Sequence, residues 1–181
     1  MDVPVCPVLG HGGVLALDLS RVTGWCYGAP GCNLPEFGSW LMPLAVEGAR
    51  YAALDNELTD AFAALRPSHV IIEAPIALPA MTNRAAMWQQ LGMRAIVRAA
   101  AWRDSVSVSE VSAEIVRNEL LGFSRVPGKP GAIKFHCIRW CRRNGIHVTD
   151  DHQADAVFLW EWRRRRVSGE WPRQRKLFEA A

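Results

Sequence analysis

The order of apolar and polar positions divides the chain into short strands and longer helices. Val14 to Leu17 make an uninterrupted aliphatic run that Leu19 extends past Asp18, the pattern of a strand buried on both faces. Ser20, Thr23 and Gly24 supply a tight turn into a second strand, Trp25 to Gly28. After the turn-rich stretch from Ala29 to Pro35, Gly38 to Met42 suit a third strand that closes an antiparallel meander. The period then changes. Tyr51, Leu54, Leu58, Phe62 and Leu65 recur at spacings of three and four, which predicts a helix from Glu47 to Leu65 that Pro67 stops.

Ser68 to Glu73 is a short aliphatic strand ending in a carboxylate, and Ala74-Pro75 ends regular pairing before a loop reaching Met81. Thr82 or Asn83 can cap a long helix to about Trp102, whose apolar positions (Met87, Leu91, Met93, Ile96, Val97, Ala100) cover more than one face. Such a helix has apolar surface both for the sheet and for a second subunit. Val106 to Val111 alternates as a partly exposed strand does, and Ala113 to Leu121 reads as a helix closed by Gly122. A loop from Phe123 to Gly131 precedes a helix with Ile133, Cys137, Trp140 and Cys141 on one face, stopped at Asn144-Gly145. Thr149 or Asp150 can cap a last helix from Asp151 to about Arg166. The expected class is α/β, with a mixed five-stranded sheet flanked by helices. Residues 1–13 read as a flexible lead-in, 14–166 as one domain and 167–181 as a flexible basic tail.

Size and composition narrow the setting. A chain of 181 residues, half of them hydrophobic, suits one domain with a sizeable core. It has no apolar run approaching the ~18 residues of a membrane span and no recognisable signal peptide, so a cytoplasmic protein is expected. Five cysteines without a CxxC pair argue against a disulfide framework and a zinc ribbon. A metal site built from Cys26, Cys32, Cys137 and Cys141 requires the fold to gather them, and buried free thiols are the simpler expectation. The net charge of +3 is modest, but all basic residues except Lys129, Lys134 and Lys176 are Arg, the planar partner of phosphate. Seven basic residues lie between Arg163 and Lys176 against one acid, Glu170, so a polyanion nearby is plausible. The run Arg163 to Arg166 also suits a solvated helix end.

Asp18 stands inside an apolar run, where an acid costs several kcal/mol unless a cation, a metal ion or hydrogen bonds compensate it. On its own it could merely cap a turn. Glu73 ends a second core strand, and on the last helix His152 and Asp155 are three apart, Asp151 and Asp155 four apart, so either pair shares a face. Three segments thus offer ligands for hard divalent cations, as a two-metal phosphodiesterase requires.

In this order the residues resemble the RuvC branch of the RNase H-like nuclease superfamily, from Asp18-Leu-Ser-Arg-Val-Thr-Gly-Trp25 to Gln153-Ala-Asp-Ala156. Ile71-Ile-Glu73 looks like the second acidic strand of that family, and Leu91-Gly-Met-Arg94 sits where its long dimer helix carries a Leu-Gly-x-x-Arg-like run. The resemblance implies an RNase H-like fold and Mg²⁺-dependent hydrolysis (Mn²⁺ as substitute) of branched DNA, most of all Holliday junctions, by a homodimer joined through the helix near 82–103. It implies Asp18 as a bridging metal ligand, Glu73 as a second, and Asp155 with His152 or Asp151 as the ligands of the last helix. Lys129 or Lys134 falls where the family has a basic catalytic residue. Arg84, Arg125, Lys129, Lys134, Arg139, Arg142 and Arg143 are the expected phosphate-binding surface. The turn after Asp18 is about one residue shorter than in housekeeping resolvases and lacks their Pro-Gly, which favours a phage-like or divergent member. The loop after Glu73 has no aromatic residue where those enzymes place a wedge.

In the tail, Gln174, Leu177 and Phe178 look like the Gln-x-x-Leu-Phe peptide that docks bacterial replication proteins on the sliding clamp. Competing readings are a nuclease for flaps, forks or RNA/DNA hybrids, a catalytically inactive DNA-binding module, and a sugar kinase or actin-like ATPase. The acids oppose the inactive module. The length and the lack of a second Gly-rich phosphate loop oppose the ATPase.

Overall fold

The computed structural model describes residues 12–29, 31–44, 46–75, 84–129 and 131–169. Thr82, Asn83, Gln174, Leu177 and Phe178 lie outside that description, and so does the side chain of Arg84. Five strands, β1 (Val14–Asp18), β2 (Val22–Gly28), β3 (Glu36–Leu41), β4 (His69–Glu73) and β5 (Ser107–Val111), form one sheet in the order β3-β2-β1-β4-β5. β1, β2 and β3 pair antiparallel, while β1, β4 and β5 run parallel. The helices are α1 (Glu47–Leu65), α2 (Arg84–Arg103), α3 (Ala113–Leu121), α4 (Ala132–Arg143) and α5 (Asp151–Ser168). The expected α/β architecture is therefore the observed one. β2 begins three residues before Trp25, and α5 runs two residues past Arg166 into the stretch expected as tail.

Because strand side chains alternate, the sheet separates two cores. Leu15, Leu17, Val70 and Ile72 face α1 and α2. Val14, Ala16, Cys26 and Ile71 face α4 and α5. Asp18 and Glu73 share the parity of Ala16 and Ile71, so the alternation directs both carboxylates to the α5 side. α5 carries few polar residues in its middle because Ala156 to Trp160 are all buried.

Helix α5 is anchored at both ends of β2. Asp150 caps it by accepting from Gln153 N at 2.8 Å, while Gln153 Oε1 accepts from Thr149 N at 3.0 Å. Ser39 Oγ donates to the other oxygen of Asp150 at 3.2 Å, which ties the cap to β3. Farther along, Trp160 Nε1 donates to Gly28 O at 3.1 Å. A Cβ at Gly24 would run into the His152 carbonyl, so the strand carries glycine where the first turn of α5 presses on it. Gly24→Ala is expected to destabilise the protein by about 1–3 kcal/mol, read by urea denaturation, because backbone must move against backbone. An unchanged midpoint would show that the first turn of α5 does not depend on this contact.

The Arg-rich end of α5 is bound up within the protein. Arg164 and Arg165 both donate to Glu161, at 2.7 and 2.6 Å, and Arg166 donates to Glu119 at 2.8 Å while stacking over Trp162. These guanidiniums fasten α5 to itself and to α3, so part of the charge of the run is compensated within the protein. The four cysteines do share one core, yet none of them is in a disulfide, and Cys32 Sγ donates to Leu34 O at 3.1 Å. Burial raises the pKa of Cys26, Cys137 and Cys141, so these stay protonated thiols, and no metal-holding group forms around them among the described residues. No described helix is long and apolar enough to cross a membrane.

Candidate active site

The carboxyl ends of the three parallel strands lie along one edge, where a connection leaves each strand and side chains escape the core. Register sets the spacing: Leu17 lies opposite Ile72, so Asp18 and Glu73 follow as neighbours, and Glu73 lies opposite Val111. The turn after Asp18 is locked by its own hydroxyls. Ser20 Oγ donates to Val22 O at 2.7 Å, and Thr23 Oγ1 donates to Ser20 O at 2.8 Å. The first turn of α5 then presents His152 and Asp155 above this edge, three residues apart on one face.

These residues line a cavity of about 220 Å³ together with Ser20, Gln90, Arg94, Arg117 and Lys134. His152 Nδ1 lies 3.0 Å from Asp18 Oδ2, and Ser20 Oγ lies 3.3 Å from the same nitrogen. The Asp18 hydrogen bond raises the His152 pKa, since it favours the charged imidazolium. Asp155 is almost covered and accepts from Arg117 Nη2 at 2.9 Å; burial pushes its carboxyl up. Glu73 is pushed up to about 7 by burial first and then by the charges of Asp18 and Asp155. Like charges gathered with little water are an incentive to bind a proton or a cation.

Asp151, by contrast, is not part of the cavity wall. It pairs with Lys134, which lowers its pKa, at the outer edge. Of the two alternatives left open by spacing, the fold thus directs His152 to the cavity and engages Asp151 elsewhere. No group of three or more His, Cys, Asp or Glu stands in ready coordination geometry among the described residues. The donor set nevertheless fits a hard divalent cation, with carboxylate oxygens from three elements and one imidazole.

A larger groove of about 940 Å³ opens from Glu73 and Arg117 and passes Ser112, Ser124, Arg125 and Lys129. Lys129 is therefore in the groove rather than the cavity, while Lys134 reaches the cavity rim. Arg139, Arg142 and Arg143 lie apart from both, on the outer face of α4 beside Phe135 and Ile138. The basic residues expected at a phosphate surface are thus split between a groove joined to the carboxylates and a separate helix face.

Two cationic cavity residues have no site role in the sequence reading. Arg117 was unassigned, and Arg94 figured only as part of a helix motif. Arg94 is 7% exposed, and its Nε and Nη1 lack hydrogen-bond partners, although Nη1 lies 3.5 Å from Glu110. A signal for Arg117 was present. It lies one turn into the helix that leaves β5, the third parallel strand, so it emerges at the same sheet edge as Asp18 and Glu73.

No protein-family model matches the chain, and no curated protein is similar to it in sequence. Solved structures are similar in fold. T. thermophilus RuvC in complex with a Holliday junction substrate superposes with a TM-score of 0.68 at 15% identity, covering 88% of this chain and 97% of that one. Thermus thermophilus RuvC in a second structure gives 0.63 at 16% identity, covering 87% and 96%. A yeast mitochondrial Holliday junction resolvase gives 0.60 at 8% identity, covering 91% and 84%. At these identities the likeness establishes a RuvC-like, RNase H-like fold.

Proposed function

We propose that this protein is a metal-dependent, structure-selective endonuclease that hydrolyses phosphodiester bonds in branched DNA, with four-way junctions as its substrate. One observation carries the reading: Asp18 and Glu73, neighbours on parallel strands, share a cavity with His152 and Asp155 of α5. A fold shared with junction resolvases supports it. Asp18, Glu73, Asp155 and His152 are the residues that would hold Mg²⁺ or Mn²⁺. Bound there, the cations would supply Lewis acidity toward a phosphate and lower the pKa of a water.

The chain's own residues do the rest. The locked Ser20–Thr23 turn holds Asp18 in place, and the Asp150 cap fixes the height of His152 and Asp155 above it. Lys134 and Arg117 place positive charge at the cavity, suited to a phosphate entering a site rich in carboxylates. The groove past Arg125 and Lys129 offers a path for the backbone of one strand. The discriminating experiment compares four-way, fork, flap, linear, single-stranded and RNA-hybrid substrates in Mg²⁺. Preference for a fork, flap or hybrid would replace the junction as substrate, and no cleavage of any would sink the reading.

Two cuts across a junction need two sites, and α2 has the surface for a two-fold partner. Gly92 on one face makes room for Tyr51 of α1. The side turned away from the buried Met93, Val97 and Ala100 exposes Trp88 at 63%, Leu91 at 40% and Trp102 at 83%. Trp88, Ala95 and Trp102 are spaced at seven residues, close to two turns, so they form one stripe. An antiparallel helix pair centred on Ala95 sets Trp88 against Trp102 of the partner. Trp102→Glu is expected to convert a dimer to a monomer in sedimentation velocity and to leave the fold intact. A wild-type monomer at tens of micromolar would eliminate this arrangement.

A further inference from the structure

Asp155 already has a cationic partner supplied by the protein. Three acids (Asp18, Glu73, Asp155) and three permanent cations (Arg94, Arg117, Lys134) line the carboxylate cavity. Two of the cations are directed elsewhere, Arg94 toward Glu110 and Lys134 toward Asp151. Arg117 is the one whose ion pair is with a cavity acid, at 2.9 Å from Asp155 Oδ1, with side-chain exposures of 19% and 13%. It also lines the adjoining groove, so a path exists for its guanidinium to leave the carboxylate.

Given the nuclease reading above, we propose that Arg117 is a built-in competitor for the divalent cation at Asp155. A cation on the other oxygen of Asp155 would stand within roughly 7 Å of the guanidinium, where like charges repel strongly in a half-buried site. Loading is therefore ordered. A first cation binds at Asp18 and Glu73, and a second binds on the Asp155 side only as Arg117 lets go. Arg117 acts as a positioning residue that sets the affinity of the second place and keeps Asp155 compensated until then.

The test is Mn²⁺ titration of the full chain without DNA, with free Mn²⁺ read by electron paramagnetic resonance. The wild type is expected to show a tighter and a weaker class of site. Arg117→Gln should tighten the weaker class at least about tenfold, within the usual range of coupling between sites, and the tighter class, which Arg117 reaches only through the charge of Glu73, by less. Equal constants in the wild type and a folded Arg117→Gln variant would overturn the competition and leave the nuclease reading standing. Absence of Mn²⁺ binding in both would remove the metal site itself. Should the variant fail to fold, the wild type still decides the matter by NMR. Hindered rotation of the Arg117 guanidinium should relax as Mg²⁺ saturates the protein, and a guanidinium still hindered at saturation would overturn the proposal.

Discussion

Asp18→Asn is expected to lower Mg²⁺-dependent cleavage of a four-way junction by at least about 10³-fold, since a metal site supplies several kcal/mol of charge stabilisation. Asp18 stands where β1 meets the locked turn, faces the cavity and contacts His152 at 3.0 Å. Asparagine keeps its shape and one oxygen acceptor but removes the charge. The loss therefore falls on cation binding and not on the fold, and the far-ultraviolet spectrum should match the wild type. Glu73→Gln should behave alike in the same assay. Activity equal to wild type in either variant would exclude the carboxylate cavity as the place of reaction.

The second large effect concerns stability without metal. Glu73 has its pKa raised from 4.5 to about 7 by burial and by Asp18 and Asp155. Its neutral form is thus the one the fold prefers. The stability it contributes is fully present below about pH 4.5 and is lost as pH rises through 7. Taking 1.36 kcal/mol per unit, the metal-free protein should lose about 2–3 kcal/mol across that window. Asp155 and His152, both raised, act in the same direction, while Asp151, lowered by Lys134, acts in the opposite one. Glu73→Gln cannot ionise. In EDTA it should be more stable than the wild type at pH 8 and nearly equal to it at pH 4.5, measured by urea denaturation. Parallel stability curves for the two proteins across pH would mean that Glu73 is not held in a strained, charge-rich site.

Much of the fold was legible because period and punctuation agree. The boundaries of α1 and α3 follow directly from the spacing of apolar residues, from Pro67 and from Gly122 at φ 84°. The strands were legible as aliphatic runs, but their faces were not. β1 reads as buried on both sides, and nothing in Val-Leu-Ala-Leu distinguishes the α5 side from the α1 side. The Arg163–Arg166 run shows the same limit. Its charges suggest a polyanion, whereas Glu161 and Glu119 take up Arg164, Arg165 and Arg166. Counting charges along a chain cannot reveal partners that a helix brings from four residues or forty residues away.

For the candidate site, the sequence by itself determined its acids. Asp18 and Glu73 end aliphatic runs, and an acid at such a place must be compensated or used. It determined too that His152 and Asp155, or Asp151 and Asp155, share one helical face. Only the tertiary structure decided between them, because the cap on Asp150 and the close approach at Gly24 set the rotation and height of α5, turning His152 to Asp18 and Asp151 to Lys134. It alone brought in Arg117, 38 residues before Asp155 in sequence, through the pairing of β5 with β4. Local periodicity fixes which side chains share an element, but which elements meet depends on register and packing between distant segments, and the opening stretch at Asp18 acquires its chemistry from those.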